Sequence, residues 1–201
     1  MWDLIQSGGI LMIPILGCSI IGLAIVIERL WQLRTRKVIP SQLPSKILNL
    51  AKRQSLGHAQ LQQLSTEGTL GEILAIGLEH AEYGWDVVRN RMEERGRHCL
   101  IELEKYLNIL GTIAVITPLL GLLGTVVGMI QMFSALTLDG AIKPEMLAAG
   151  ISKAMITTAF GLSVAIPCLM FHRFFLRKIE ELTYKLEKES LKVVDSLKRA
   201  V

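Results

Sequence analysis

The chain has 201 residues, of which 51% are hydrophobic, 5% aromatic and 20% charged, with a formal net charge of +4 at pH 7. That is too apolar for an ordinary soluble domain and too charged for one lying wholly in a membrane, so the chain divides between the two. The basic excess invites a nucleic-acid reading, but the Lys and Arg residues crowd the ends of apolar stretches, where they serve topology and anionic lipid instead.

Taken in order, residues 1–9 carry no Lys or Arg, and the first apolar run, a span over 10–28, is followed by Arg29, Arg34, Arg36 and Lys37. A secretory signal puts its positive charge first and ends in a small-x-small site, so this span is expected to stay in the mature protein. The charge order places the N-terminus outside and residues 29–106 in the cytoplasm as a helical segment. Within it, Ser45 to Arg53, Ala59 to Leu64 and Leu70 to Glu82 read as helices, the last closed by Gly84. From Trp85 the pattern continues through Val88, Met92, Cys99, Leu103 and Leu107 without a breaker, predicting one long helix that runs into a second span over 107–136.

A short outer loop, 137–145, leads to a third span, 146–172, and then to Arg173, Arg177 and Lys178, which hold the C-terminus in the cytoplasm. Residues 173–201 form an amphipathic helix whose stripe of Ile179, Leu182, Leu186, Val193 and Leu197 needs a partner, and packing among copies of this chain is the favoured one. The fold class is therefore an all-α membrane protein with three transmembrane helices, N-out and C-in, and long helices reaching into the cytoplasm.

The chemistry lies in the second and third spans. Thr117, Gly121, Thr125 and Gly128 share a face of the second, with Gly124 and Gly128 as a small-xxx-small pair; Gly150, Ala154, Thr158, Gly161 and Ala165 share a face of the third. Smooth faces in an antiparallel hairpin suggest close helix packing with hydroxyls turned to a groove or lumen. Equally, Thr in a membrane helix bonds back to its own carbonyls, and glycine faces serve as packing surfaces. Pro118 and Pro167 sit inside the spans as candidate kinks. No Asp or Glu falls between Leu107 and Leu138 or between Met146 and His172, so a proton path here needs a carboxylate from another subunit. Lys153, inside the third span, is either a gating charge or a residue that snorkels to the outer interface, the reading favoured here; Thr157 shares its face.

Cys18, Cys99 and Cys168 have no paired spacing, and His58, His80, His98 and His172 are scattered, so neither a disulfide, a metal nor a cofactor is indicated. No P-loop or nucleophile with its base is present, which argues against an enzyme.

The string LEKYLNILGTIAVITPLLGLLGTVVGMIQMF, followed by GISKAMITTAFGLSVAIP and preceded by ERLWQLR at the end of the first span, strongly resembles the MotA/TolQ/ExbB proton-channel family; its three-span layout is like the ExbB and TolQ branch, and GLLGTVVGMI makes it most like ExbB. The resemblance implies an inner-membrane ion-driven motor. In that picture five copies surround a pair of ExbD-like single-span subunits that supply a membrane aspartate, and a TonB-like protein carries the motion to outer-membrane transport. TolQ-like envelope maintenance or a non-conducting scaffold are the alternatives. The family's lumen threonines map onto Thr125 and Thr158, and the neighbouring Thr157 adds a hydroxyl that leaves sodium open. Where many members have a glutamate, this chain has Lys153.

Overall fold

The computed structural model describes residues 9–40, 42, 43, 47, 58–139 and 144–198, and these are helical or connecting, with no strand among them. Among the described residues the helices with defined bounds are, in chain order, α1 (Met12–Gln32), α2 (Thr35–Val38), α3 (His58–Ser65), α4 (Thr69–Glu79), a 3-10 turn at Ala81–Tyr83, α5 (Trp85–Glu104), α6 (Leu107–Asp139) and α7 (Pro144–Lys198). By length and composition, Met12–Gln32, Trp85–Phe133 and Leu147–Asp195 each contain a stretch able to cross a membrane, three in all among the described residues. Apart from Ile47, the expected helix at Ser45 to Arg53 lies outside the described residues, as does the centre of the outer loop.

Two compact units divide the chain. The spanning unit comprises Met1–Ile27 and Tyr106–Phe174; the polar unit comprises Glu28–Lys105 and Phe175–Val201.

In the polar unit, α4 starts at Gly68 and α5 at Gly84, whose φ values of 93° and 97° only glycine adopts without strain. The third expected helix ends at Glu79 instead of Glu82, because His80 leaves the helical conformation and its Nδ1 lies 3.0 Å from the Ile76 carbonyl, one of the orphan acceptors of that helix end. The exposed face of α5 carries the pairs Arg89–Glu93 and Arg91–Glu94, each 3.0 Å, which add little. Its inner face buries Val88, Met92, Cys99 and Leu103.

Two expectations are corrected here. The predicted continuous helix from Trp85 is interrupted at Lys105 and Tyr106: Lys105 is extended (ψ 138°) and Tyr106 takes a φ of 63°. A tyrosine in the left-handed region costs on the order of 1 kcal/mol, and it stops α5 where nothing in the local pattern marks a break. The second concerns the stripe of the C-terminal helix, which packs within its own polar unit instead of against another copy. Ile179, Leu182, Leu186 and Val193 are between 0% and 6% exposed; the Leu197 side chain lies outside those described.

What closes the end of α5 is Arg29. Its side chain is 1% exposed, and its guanidinium donates to the carbonyls of Leu103 (3.1 Å) and Glu102 (3.4 Å) while pairing with Glu28 at 3.3 Å. Those carbonyls belong to the last turn of a helix, where the dipole is negative and the Lys105 N–H reaches only the Glu102 carbonyl, at 3.4 Å, so a buried cation is well matched there.

Candidate functional site: a hydroxyl-lined groove in the helix hairpin

Within the spanning unit, α6 and α7 run antiparallel along a seam of small residues. A methyl group built on Gly124 would lie 2.5 Å from Thr157 Cγ2, one on Gly121 3.1 Å from Thr158 Cα, and one on Gly128 3.1 Å from the Gly150 carbonyl and 3.3 Å from Ala154 Cβ. At Gly161 the clash is with backbone, 2.8 Å from the Thr117 carbonyl oxygen and 3.2 Å from Gly121 Cα, and the His172 ring fills the space beside Gly111. Ala154 and Ala165 are buried in the same unit. The backbones approach this closely only because the facing residues are small. Pro118 and Pro167 are accommodated inside α6 and α7 without ending either helix.

Gly161→Ala is accordingly expected to destabilise the hairpin by about 1–3 kcal/mol, since backbone atoms cannot rotate away as a side chain can. Thermal unfolding of the detergent-solubilised chain checks this: an unchanged midpoint would mean that the helices separate at no cost.

To one side of this seam lies a groove of about 600 Å³ lined by Thr125, Met129 and Met132 of α6 and by Gly150, Ile151, Ala154, Met155, Thr158, Ala159 and Leu162 of α7. The two threonines singled out by sequence therefore share one groove. Both hydroxyl protons are already committed: Thr125 donates to the Leu122 carbonyl (2.6 Å), and Thr158 shares its proton between the carbonyls of Ala154 (3.1 Å) and Gly121 (3.2 Å). What the hydroxyls offer the groove is lone pairs, set among thioethers and aliphatic carbons, and no residue lining it is ionisable.

The other candidates are placed elsewhere. Thr157 does not line the groove; it is fully buried in the seam against Gly124 and donates to the Lys153 carbonyl at 2.7 Å. Lys153 is outside the groove as well, its Nζ donating to Gln131 Oε1 at 3.0 Å and its side chain lying against Gly9. Thr117, also fully buried, donates back to the Ile113 carbonyl at 2.5 Å. Sequence reasoning missed Gln131, which carries no charge to draw attention. It also missed Met129, Met132 and Met155, although 125, 129 and 132 recur at helical spacing on one face.

In the polar unit, Cys99 lies 2% exposed with its thiol 3.5 Å from Glu72, which is ion-paired to Arg95. Burial, and then the neighbouring Glu72 carboxylate, push the thiol up to about 12, so it remains protonated and unreactive at neutral pH. Glu72, as hydrogen-bond acceptor first, also holds Arg95 above its usual value. Among the described residues no His, Cys, Asp and Glu cluster could hold a metal ion.

Residues 65–188 match the MotA/TolQ/ExbB proton channel family. Over 186 residues the chain is 31% identical to a biopolymer transport protein named ExbB-like 3 from Synechocystis sp., covering 85% of this chain and 82% of that one. It is 39% identical over 80 residues to the biopolymer transport protein ExbB of Aquifex aeolicus, covering 40% of this chain and 54% of that one. With the Tol-Pal system protein TolQ of Haemophilus influenzae the identity is 42% over 76 residues, 37% of this chain and 33% of that one.

Proposed function

Because the chain belongs to the MotA/TolQ/ExbB proton channel family, we propose that it is the ExbB-like subunit of an ion-driven motor in the bacterial inner membrane, lying N-out and C-in. Several copies, five by resemblance, would enclose an ExbD-like single-span partner whose intramembrane aspartate meets Thr125 and Thr158, and a TonB-like protein would take up the motion for outer-membrane transport.

The observation that carries this reading is the pairing of two hydroxyls on one groove whose lining residues include no acid. Their protons are spent on backbone carbonyls, so their oxygens can only accept, and a protonated carboxyl is a donor that suits them. An ionised carboxylate finds no donor there and is disfavoured in the low-dielectric surroundings, so gaining or losing the proton changes where the partner's acid is at ease. Moving one proton through the field supplies about 2.3 kcal/mol per 100 mV, against roughly 1 kcal/mol for such hydroxyl contacts in a membrane, so the field is strong enough to break and remake them.

The same geometry favours protons over sodium. A hard cation takes about six oxygens, and the groove side chains offer two, since the Thr157 oxygen is turned into the seam. Between the two branches, the ExbB-like relative is matched over most of both chains and the TolQ relative over about a third, which favours the ExbB-like assignment.

The test is reconstitution of the chain with its single-span partner in vesicles under an imposed membrane potential. Proton uptake that disappears when the partner's aspartate is changed to asparagine supports the motor; an assembled complex that never conducts reduces the chain to a scaffold.

In this reading Lys153 is a snorkelling residue. Lys153→Ala removes one bond to Gln131 and nothing from the groove, so uptake is expected to stay within about twofold of the unmodified complex, as for a surface interaction of small worth. Loss of uptake with assembly intact would put this ammonium in the ion path.

A further inference from the structure

In the polar unit, the end of α1 and the short α2 carry Leu30, Trp31, Arg34, Arg36 and Lys37 on the outside of a segment that is itself firmly held. Leu33 is 4% and Val38 2% exposed, whereas Trp31 is 62% and Leu30 46% exposed. From behind, Gly68 closes on the Lys37 carbonyl so tightly that a β-carbon there would collide with it. The cations therefore stand on a fixed platform. Lys37 Nζ sits 3.9 Å from the centroid of the Trp31 ring, which fixes an indole and an ammonium side by side. Among the described residues neither Arg34 nor Arg36 has a hydrogen bond or ion pair that would neutralise it.

These residues follow directly on an apolar helix long enough to cross a bilayer. Tryptophan prefers the boundary between acyl chains and water, and a guanidinium binds a phosphodiester through paired N–H donors, which suits it to a lipid headgroup more than to a simple counter-ion. An exposed indole and leucine beside unpaired cations is complementary to a molecule with an anionic head and an apolar tail. Salt-bridged surface arginines, such as those on α5, lack this character because Glu93 and Glu94 already satisfy them.

We propose that Trp31, Arg34, Arg36 and Lys37 form a binding site for an anionic phospholipid, with the phosphate held by the two guanidinium groups and the acyl chain beside Leu30 and Trp31. The preference is for headgroup charge, beyond the contact any spanning helix makes with surrounding lipid.

Trp31 reports on it directly. The full chain with Trp2→Phe and Trp85→Phe keeps Trp31 as its single indole and is reconstituted into phosphatidylcholine vesicles containing a minor fraction of phosphatidylglycerol. Either the phosphatidylglycerol or an equal fraction of the phosphatidylcholine carries bromine near the headgroup end of its acyl chains. At equal mole fraction, brominated phosphatidylglycerol is expected to quench Trp31 at least twofold more strongly. That preference is expected to vanish in Arg34→Gln with Arg36→Gln and to weaken without vanishing in Arg34→Lys with Arg36→Lys, which loses the paired donors but retains the charge that orients the first span. Equal quenching by the two lipids, or a preference that persists in the glutamine pair, overturns the proposal.

Discussion

Replacing Thr158 by valine is expected to leave the complex assembled and to bring proton uptake down to the level of empty vesicles. Valine has nearly the shape of threonine, so the seam against Gly121 stays filled and the cost in stability is confined to the hydroxyl bond to the Gly121 and Ala154 carbonyls, about 1 kcal/mol. What is lost is the acceptor that faces the groove. Thr125→Val removes the other one and is expected to act alike, because the two are the hydroxyls on the groove wall. Thr158→Ser keeps an oxygen in place and should restore most of the flux. Thr157→Val, which alters the seam and not the groove, should lower stability more than transport. The measurement is uptake per assembled complex under a fixed potential; normal uptake in both the Thr125 and Thr158 valine variants would demote these hydroxyls to packing.

The second large effect is expected at Arg29. Arg29→Met keeps the volume and the aliphatic stem but takes the guanidinium from the Leu103 carbonyl and leaves that of Glu102 with only the Lys105 N–H. A buried acceptor left without a donor costs about 1–3 kcal/mol, and a loss of that order is expected for the unit. The end of α5 should then fray and become the earliest site of limited proteolysis, near Lys105. Arg29→Lys keeps a charged donor for the helix end but not the second nitrogen, Nη2, that pairs with Glu28, and should recover part of the loss. Proteolysis rates and denaturant midpoints indistinguishable from the unmodified chain would show that Arg29 is not the cap of this helix.

Much of the membrane part was legible in the sequence because the bilayer imposes its own rules. Apolar length marks the spans, and the threonine and glycine faces follow from helical spacing, with Thr125 and Thr158 on one groove and the glycines in one seam. Spacing alone could not separate Thr157 from Thr158. Adjacent residues lie 100° apart on a helix, and which of the two meets the facing glycine depends on the crossing of α6 and α7, a tertiary matter.

The polar unit was less legible. The break at Lys105 and Tyr106 occurs without glycine or proline, held by its surroundings against the local preference of tyrosine. Arg29 reads in the sequence as one more positive charge following a span; its partners are backbone carbonyls more than 70 residues away, which leave no mark in composition. The stripe of the C-terminal helix was recognised as apolar, but amphipathicity says only that a cover exists, not whether the same chain provides it.

The Thr158 hydroxyl oxygen stands almost equidistant from a carbonyl of its own helix and one of the neighbouring helix, at 3.1 and 3.2 Å. Such a donor is a toggle. It can let go of either oxygen without being orphaned, so giving up its bond to the neighbouring helix does not strip Thr158 of an acceptor.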